Sequence, residues 1–313
     1  MITMTTLQRR AACVGIGLVA DRLLPELSNR WHPVAWFGTL MQRIECSTWA
    51  DRRSAGVLYV ALGATVGATA GVLASNPALA IVITSAGPEL RRFGAEIGDA
   101  TQTHGVEAGR IAVAGLVGRD TSELDEHGIA AAVVESVAEN TVDAMIAPVF
   151  WAMVAGAPGA YAYRAINTMD AMVGRRNERY EQFGWAAARL DDVANYLPAR
   201  LFALIVAAVR PRQANRVWSM IQRDAPAHPS PNAGVAETAA AAALGVELGG
   251  PLRYGDVTED RPRLGSGDRP SLVHINRMNV LSNHVEALTT LALLGTYLAP
   301  LCRRRRSHGK PES

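Results

Sequence analysis

Residues 54–88 read SAGVLYVALGATVGATAGVLASNPALAIVITSAGP, without one charged side chain. A run of that length, interrupted by the turn signal Ser75-Asn76-Pro77, suits two bilayer crossings joined by a short turn. Gly63, Gly67 and Gly71 recur every fourth residue. On a helix that spacing aligns bare backbone along one stripe and lets a second helix come close. The alternative is a buried hairpin in a soluble protein, because each leg alone is short or weakly apolar. Arg52 and Arg53 precede the run and Arg91 and Arg92 follow it, so the positive-inside bias puts both ends in the cytoplasm. The expected fold is all-α: a polytopic membrane helical bundle, with re-entrant or cytoplasmic helices carrying the polar motifs.

Outward from this run, residues 11–27 read as a short apolar helix interrupted by Asp21 and Arg22, and 36–50 as an amphipathic helix. Between them His32 precedes Pro33, which disfavours helix at the histidine. Ala144–Ala157 is apolar but holds Pro148, and Pro158 follows it, which fits a kinked or re-entrant span. Leu201–Val209 is too short to cross alone unless it extends back through Asn195. Arg210–Asp224 is a basic amphipathic helix, and the turn 228–234 feeds an Ala-rich helix from Val235 to Leu244. Residues 249–272, rich in Gly, Pro and charge, read as a long loop, and Val285–Leu301 as a last span stopped by Arg303–Arg306. About four to six spans fit these lengths. The division expected is one integral-membrane catalytic domain over 1–302 and a basic cytoplasmic tail over 303–313.

Composition narrows the chemistry. The chain has 313 residues, a net charge of +2 and a single lysine, Lys310, close to its end. A body without lysine excludes a Walker-type phosphate loop and a Schiff-base lysine. Anion recognition then falls to arginine, backbone N–H groups and metal. The charge argues neither for nor against nucleic acid, which is not expected among the partners. Cys13, Cys46 and Cys302 show no paired spacing, so zinc and disulfide frameworks are not expected.

The polar groups concentrate in GRDTSELDEHGIAAAVVESVAENTVD, residues 118–143. Its second half reads as a helix from about Ile129, on which Glu135, Glu139 and Asp143 stand in one row at i, i+4 and i+8. A bound cation, an arginine partner or a shared proton would each account for three like charges in a row; a solvated acidic face is the plain alternative. Asp120, with Glu123 three residues on, resembles a helix N-cap with a capping-box acid. Asn140-Thr-Val-Asp143-Ala-Met145 recurs as Asn167-Thr-Met-Asp170-Ala-Met172. Asn and Asp three apart on a helix offer two hard oxygens side by side, suited to Mg²⁺ bound against a substrate phosphate. Asp191, Asp192 and Asn195 again gather acid and amide within a turn. Arg175 and Arg176 after Gly174 could meet a phosphate, and Ser230 and Asn232 could cap the following helix or touch a ligand.

HPVAWFG at 32–38, GRDT at 118–121, VESVAENTVDAMIAPVFW at 134–151, YRAINTMDAMVG at 163–174, YEQFGWAAARLDDVANYLPAR at 180–200 and SPNAG at 230–234 occur together and in order. As a set they resemble the CobD/CbiB family of cobalamin-biosynthesis membrane proteins, from Asp21 to about Tyr254. The resemblance implies an adenosylcobinamide-phosphate synthase. Such an enzyme uses ATP to join an aminopropanol, or its O-phosphate, to the free propionate carboxylate of adenosylcobyric acid. It implies ATP and Mg²⁺ as cofactors, the corrinoid and the aminopropanol as substrates, membrane lipid as surroundings, and contact with other cobalamin-biosynthesis enzymes at the membrane. The expected location is the inner membrane, multi-pass, with a cytoplasmic active site.

On that resemblance Asn140, Asp143, Asn167 and Asp170 are expected to hold Mg²⁺, with Asp143 and Asp170 counted as catalytic beside Glu139, the general base. Arg175, Arg176 and Arg200 are expected at phosphate or corrinoid carboxylate. His32, Asp120, Thr121, Glu135, Asp191, Asp192, Asn195, Ser230 and Asn232 belong to the same motifs and are expected to line the site. Two other classes fit parts of the pattern. A Mg²⁺-dependent membrane prenyl or phospho-alcohol transferase would also use Asn/Asp clusters. A corrinoid or metal permease would explain the spans, but not so many charged groups outside them.

Overall fold

A computed structural model describes residues 5–25, 28, 30–118, 120–175, 177–254 and 257–307, with side chains described outside 251–260 and 298–307. The chain is mostly helical. α1 is Thr6–Leu23, started by a reciprocal capping box between Thr5 and Gln8. α2 is Pro33–Thr48, with His32 as its N-cap in extended backbone, as a residue before proline prefers. α3 is Arg53–Ala74 and ends at Ser75, whose φ of 44° stops the helix. α4 is Pro77–Thr84, capped by Asn76, which accepts from the N–H groups of Ala78 and Leu79.

α5 spans Gly87–His104 and α6 Val106–Val113. α7 is Glu126–Thr141 and opens directly into a π-helical turn, Val142–Ile146, followed by α8, Ala147–Ala155. α9 is Ala157–Val173, and α10 is Trp185–Val209 with Pro198 inside it. α11 is Ala214–Asp224 and α12 is Ala233–Leu244. β1, Glu247–Tyr254, pairs antiparallel with β2, Val257–Gly265, and α13 runs from Leu272 to Ser307.

The chain divides into two compact units. The first takes residues 1–85, 147–191 and 286–313, the second 86–146 and 192–285. In the first, α3 lies antiparallel along α9. The glycine stripe makes this contact possible. A Cβ at Gly67 would stand 2.8 Å from the Tyr161 carbonyl oxygen, and one at Gly71 would collide with the Pro158 backbone. Met41, Tyr59, Met169, Val173 and Phe183 form the buried core beside this seam. In the second unit α5, α6 and α12 pack around α7, and the hairpin leans on α11 and α12. Leu248 and Leu264, register partners on the two strands, are its buried pair.

Three expectations change. The uncharged run does not form two helices of crossing length. α3 has 22 residues, about 33 Å, but α4 has only eight, about 12 Å, because Ser85 ends it before Gly87-Pro88 opens the next helix. The all-α expectation misses the hairpin at 247–265. There Gly249 and Gly250, both at positive φ, form a bulge, and Pro251 and Pro262 hide the alternation that marks a strand. The helix expected from Ile129 starts at Glu126 and is capped by Asp125, not Asp120. Asp120 instead closes a local turn, accepting from the Ser122 N–H at 2.9 Å.

By length and composition, two helices among the described residues could cross a membrane, α3 and α10. The stretch Leu201–Val209 does extend back through Asn195. Val285–Leu301 falls within the longer α13, with Glu286 buried near its start.

Candidate functional site

In the first unit, α9 carries Arg164, Asn167 and Asp170 at successive i, i+3 positions. The amide of Asn167 donates to Asp191 Oδ1 at 3.3 Å, and Arg164 Nη1 donates to Asn167 Oδ1 at 3.4 Å. His32 accepts the Val34 N–H at 3.2 Å. Burial, and then the positive charge of Arg164, hold its imidazole below the ordinary histidine range. His32, Arg164, Asn167 and Asp191 thus belong to one polar cluster built by α2, α9 and the first turns of α10. Arg164 Nε is buried within it, with no hydrogen-bond partner among the described residues.

Asp170 is half-buried at the end of α9. The Gly174 N–H closes the helix on the Asp170 carbonyl at 2.7 Å, and Asp170 Oδ1 occupies the place where a Cβ at Gly174 would stand. Arg175 follows, exposed to solvent, and Arg176 lies outside the described residues. The loop 174–184 is fastened on its far side by Glu45. This buried carboxylate accepts from Arg179 Nη2 at 3.0 Å and from the Tyr180 hydroxyl at 2.9 Å.

In the second unit, Thr121 is buried and donates to the Arg110 carbonyl at 3.1 Å, while Arg110 Nε donates to the Leu124 carbonyl at 2.8 Å. The GRDT element is thereby fixed to α6. Glu135 accepts the Gly249 N–H at 3.0 Å, so the bulge that breaks the strand ladder turns a backbone donor onto α7. Glu139 is exposed and Asp143 half-buried. The row of three acids is interrupted between them, because the π turn changes the helical phase at Val142. Asn140 Nδ2 donates to the Ser136 carbonyl and hydroxyl at 2.9 and 3.1 Å.

Ser230 caps α12 by accepting from the Asn232 and Ala233 N–H groups. Asn232 does something else. Its oxygen accepts from Arg200 Nη1 at 2.9 Å and its nitrogen donates to the Asp192 carbonyl at 2.7 Å. Arg200 also stacks on the Tyr196 ring at 3.6 Å, and Asn195 is buried one residue away. Asp192, Arg200, Ser230 and Asn232 therefore meet in one network.

The two Asn-x-x-Asp elements fall in different units, Asn140/Asp143 in the second and Asn167/Asp170 in the first. Among the described residues no three His, Cys, Asp or Glu side chains gather as a metal site. Magnesium that takes part of its shell from phosphate and water needs fewer protein ligands. The donors suit it unequally. The Asn140 nitrogen is held within its own helix, whereas the Asn167 oxygen faces the Arg164 guanidinium, a contact a cation would have to displace.

Two residues have no place among the sequence-derived candidates. Arg164 could have been found by its i, i+3 spacing to Asn167. Glu45 had no signal, being a lone acid on an amphipathic helix.

The architecture is that of a helical protein with, among the described residues, two helices of span length and composition, and with amide–carboxylate–arginine clusters. The family model for CobD/Cbib protein matches residues 14–282, and the chain belongs to the CobD/CbiB family. It is 43% identical over 311 residues to "Cobalamin biosynthesis protein CobD" of Mycobacterium tuberculosis (strain ATCC 25618 / H37Rv), covering 94% of this chain and 98% of that one. Proteins of the same name from Stutzerimonas stutzeri (strain A1501) and Chromobacterium violaceum are 44% and 41% identical, over 82% and 86% of this chain and 88% and 90% of theirs. No solved structure matches.

Proposed function

We propose that the protein acts in cobalamin biosynthesis as an ATP-dependent carbon–nitrogen ligase in the membrane. It would join (R)-1-aminopropan-2-ol, or its O-phosphate, to the free propionate carboxylate of adenosylcobyric acid. The observation that supports this reading most is that the family match takes in every polar cluster described above. A carboxylate resists attack by an amine until it is activated. ATP would supply a phosphoryl group to one carboxylate oxygen, ADP would leave, and the amine would displace phosphate from the acyl carbon.

Asn140, Asp143 and Asp170, with Asn167 once its arginine contact is exchanged, would hold Mg²⁺. That ion supplies charge neutralisation on the transferring phosphoryl group. Arg164, Arg175, Arg176 and Arg200 would bind phosphate or corrinoid carboxylates as planar forks. Glu139, exposed on α7, would take the proton that makes the ammonium nucleophilic. His32, held neutral by burial and Arg164, would serve as a hydrogen-bonding group and not as a cation.

The test is direct. Membranes bearing the protein receive adenosylcobyric acid, ATP, Mg²⁺ and either amine. Mass spectrometry should show the new amide, and ADP release should require both substrates. No product with either amine from folded protein overturns the proposal. Corrinoid uptake without ATP hydrolysis would identify a permease, and transfer to a lipid alcohol a transferase.

A further inference from the structure

We infer that Arg200 recognises the substrate's carboxylate through the edge formed by its Nε–H and Nη2–H groups, and that Asn232 is the residue that positions it. The inference rests on the functional reading above and narrows it: Arg200 goes to the carboxylate-bearing substrate and not to ATP. All of its parts lie in the second unit. The guanidinium is held by groups that orient it without neutralising it. Nη1 uses both of its hydrogens, one on the Tyr196 carbonyl and one on Asn232 Oδ1, each at 2.9 Å. One face of the guanidinium plane rests on the Tyr196 ring, 3.6 Å from its centroid. Asn232 is buried, and its amide has one orientation. Its nitrogen donates to the Asp192 carbonyl at 2.7 Å, a group that only accepts, so the oxygen is the end left for Arg200. The turn carrying Asn232 is itself fixed, because Ser230 Oγ accepts the Asn232 N–H at 3.3 Å.

Among the described residues no carboxylate pairs with Arg200, whereas Arg92, Arg179, Arg223 and Arg269 each hold an acid. A full positive charge is thus locked in plane with one side-on fork still to be matched. That fork fits two oxygens of one anionic group. The surroundings select what carries those oxygens. On α10, Tyr196, Leu197 and Leu204 stand at i−4, i−3 and i+4 from Arg200, beside it on one face, and each is more than half exposed. A triphosphate on this face would leave most of its charge against apolar side chains. A single carboxylate on a large, apolar-faced ring puts its charge at the fork and its body over those side chains. α10 is also long and apolar enough to cross a membrane, and an arginine well inside such a helix faces an anion or a polar cavity and not lipid.

The experiment measures equilibrium binding to the full chain in lipid nanodiscs. Three probes are used: adenosylcobyric acid, its amide with 1-aminopropan-2-ol, in which the carboxylate is gone, and ATP with Mg²⁺. The unmutated protein should bind the acid more tightly than the amide. Arg200→Lys keeps the charge and loses the fork. It should weaken the acid about 10–100-fold, the scale of a charge-assisted bidentate pair, and leave the amide and ATP unchanged. Asn232→Ala should give the same pattern with a smaller loss. Asn232→Asp places a carboxylate on Nη1, cancels the charge, and should lose about as much as Arg200→Lys. Misfolding lowers the number of sites and not the ratio of acid to amide affinity, so that ratio separates positioning from a purely structural role.

An unchanged ratio in Arg200→Lys overturns the inference. Weakened ATP with the ratio intact also overturns it and gives the fork to phosphate. A ratio that moves in Arg200→Lys but in neither Asn232 variant overturns the positioning role. If the folded, unmutated protein binds neither corrinoid, the functional reading falls and this inference with it. Amide synthesis together with an unmoved ratio overturns this inference alone.

Discussion

The hexapeptides Asn140–Met145 and Asn167–Met172 differ by one residue, Val142 against Met169, yet the backbone treats them differently. Both threonines bond back to the carbonyl four residues earlier, Thr141 to Val137 at 2.6 Å and Thr168 to Arg164 at 2.7 Å. Both central apolar residues are buried. The divergence comes from outside the six letters. Pro148 has no N–H for the Ala144 carbonyl, which accepts from the Ala86 N–H at 3.0 Å instead, and the helix widens into a π turn through Asp143. The second copy meets Gly174 and ends as an ordinary α-helix, with Asp170 folded over the glycine. Upstream, the residue three before the asparagine is Val137 in one copy and Arg164 in the other. A repeat read as two equal ligand pairs is thus one pair on a distorted helix and one pair facing an arginine.

The largest expected effect tests whether the copies still act together. Asp143→Asn and Asp170→Asn should each lower amide formation about 100-fold or more, the scale of several kcal/mol of metal-borne charge stabilisation. Raised Mg²⁺ should partly restore each single variant. The double variant should be little worse than the worse single, because groups acting as a unit are not additive. A double loss equal to the product of the singles, without rescue, would mean that the copies do not share an ion.

Gly174→Ala comes next. Gly174 has φ −74°, so alanine suits the backbone, and the cost is the collision with Asp170 Oδ1. We expect about 10–100-fold lower activity with about 1–3 kcal/mol of lost stability. Activity should fall further than the fraction unfolded in a detergent thermal melt.

Pro148→Ala restores the missing N–H in the first copy. It should let the π turn anneal towards α-helix and turn Asp143, raising the Mg²⁺ concentration needed for half-maximal rate about tenfold. An unchanged Mg²⁺ requirement would show that the π turn is incidental.

The smallest effect separates the units by pH. His32 in the first unit has a lowered pKa, so the fold favours neutral imidazole. That stability is complete above the unfolded value of about 6.5 and is lost as pH falls through the lower folded value. In the second unit, Arg269 and the Gly128 N–H lower Asp125, and Arg223 and the Gly265 N–H lower Asp224. Their contribution holds above about 3.9 and fades only as pH drops further. A melting-temperature series should therefore decline first below pH 6.5. His32→Asn, which keeps a capping oxygen, should erase that first step and leave the acid one.

Much of the fold was legible where a local rule acted alone. The glycine spacing of α3 foretold its close contact, Pro33 kept His32 out of the helix that follows it, and Arg210–Asp224 contains the amphipathic α11. The hairpin was not legible, since Gly249-Gly250-Pro251 has loop composition and becomes strand only by pairing with 257–265. The second leg of the run is shorter than expected, because hydropathy alone does not register that Ser85 and Pro88 punctuate it. In the site, motif membership marked Asn232 and Arg200, but their hydrogen bond needs α10 and the cap of α12 brought together. Glu45 was invisible because its partners Arg179 and Tyr180 lie more than a hundred residues away.

The bare stripe on α3 also has a consequence in time. Gly71 leaves the ribosome 87 residues before Pro158, the residue that covers it. At about 5–20 residues per second, that backbone groove stands open for roughly 4–17 s of synthesis. Through that interval α3 is a vacant half of a helix pair, able to accept any passing helix with a small-residue face, including α3 of a second nascent chain. Slowing translation between the two helices should lengthen that exposure and lower the yield of correctly paired protein.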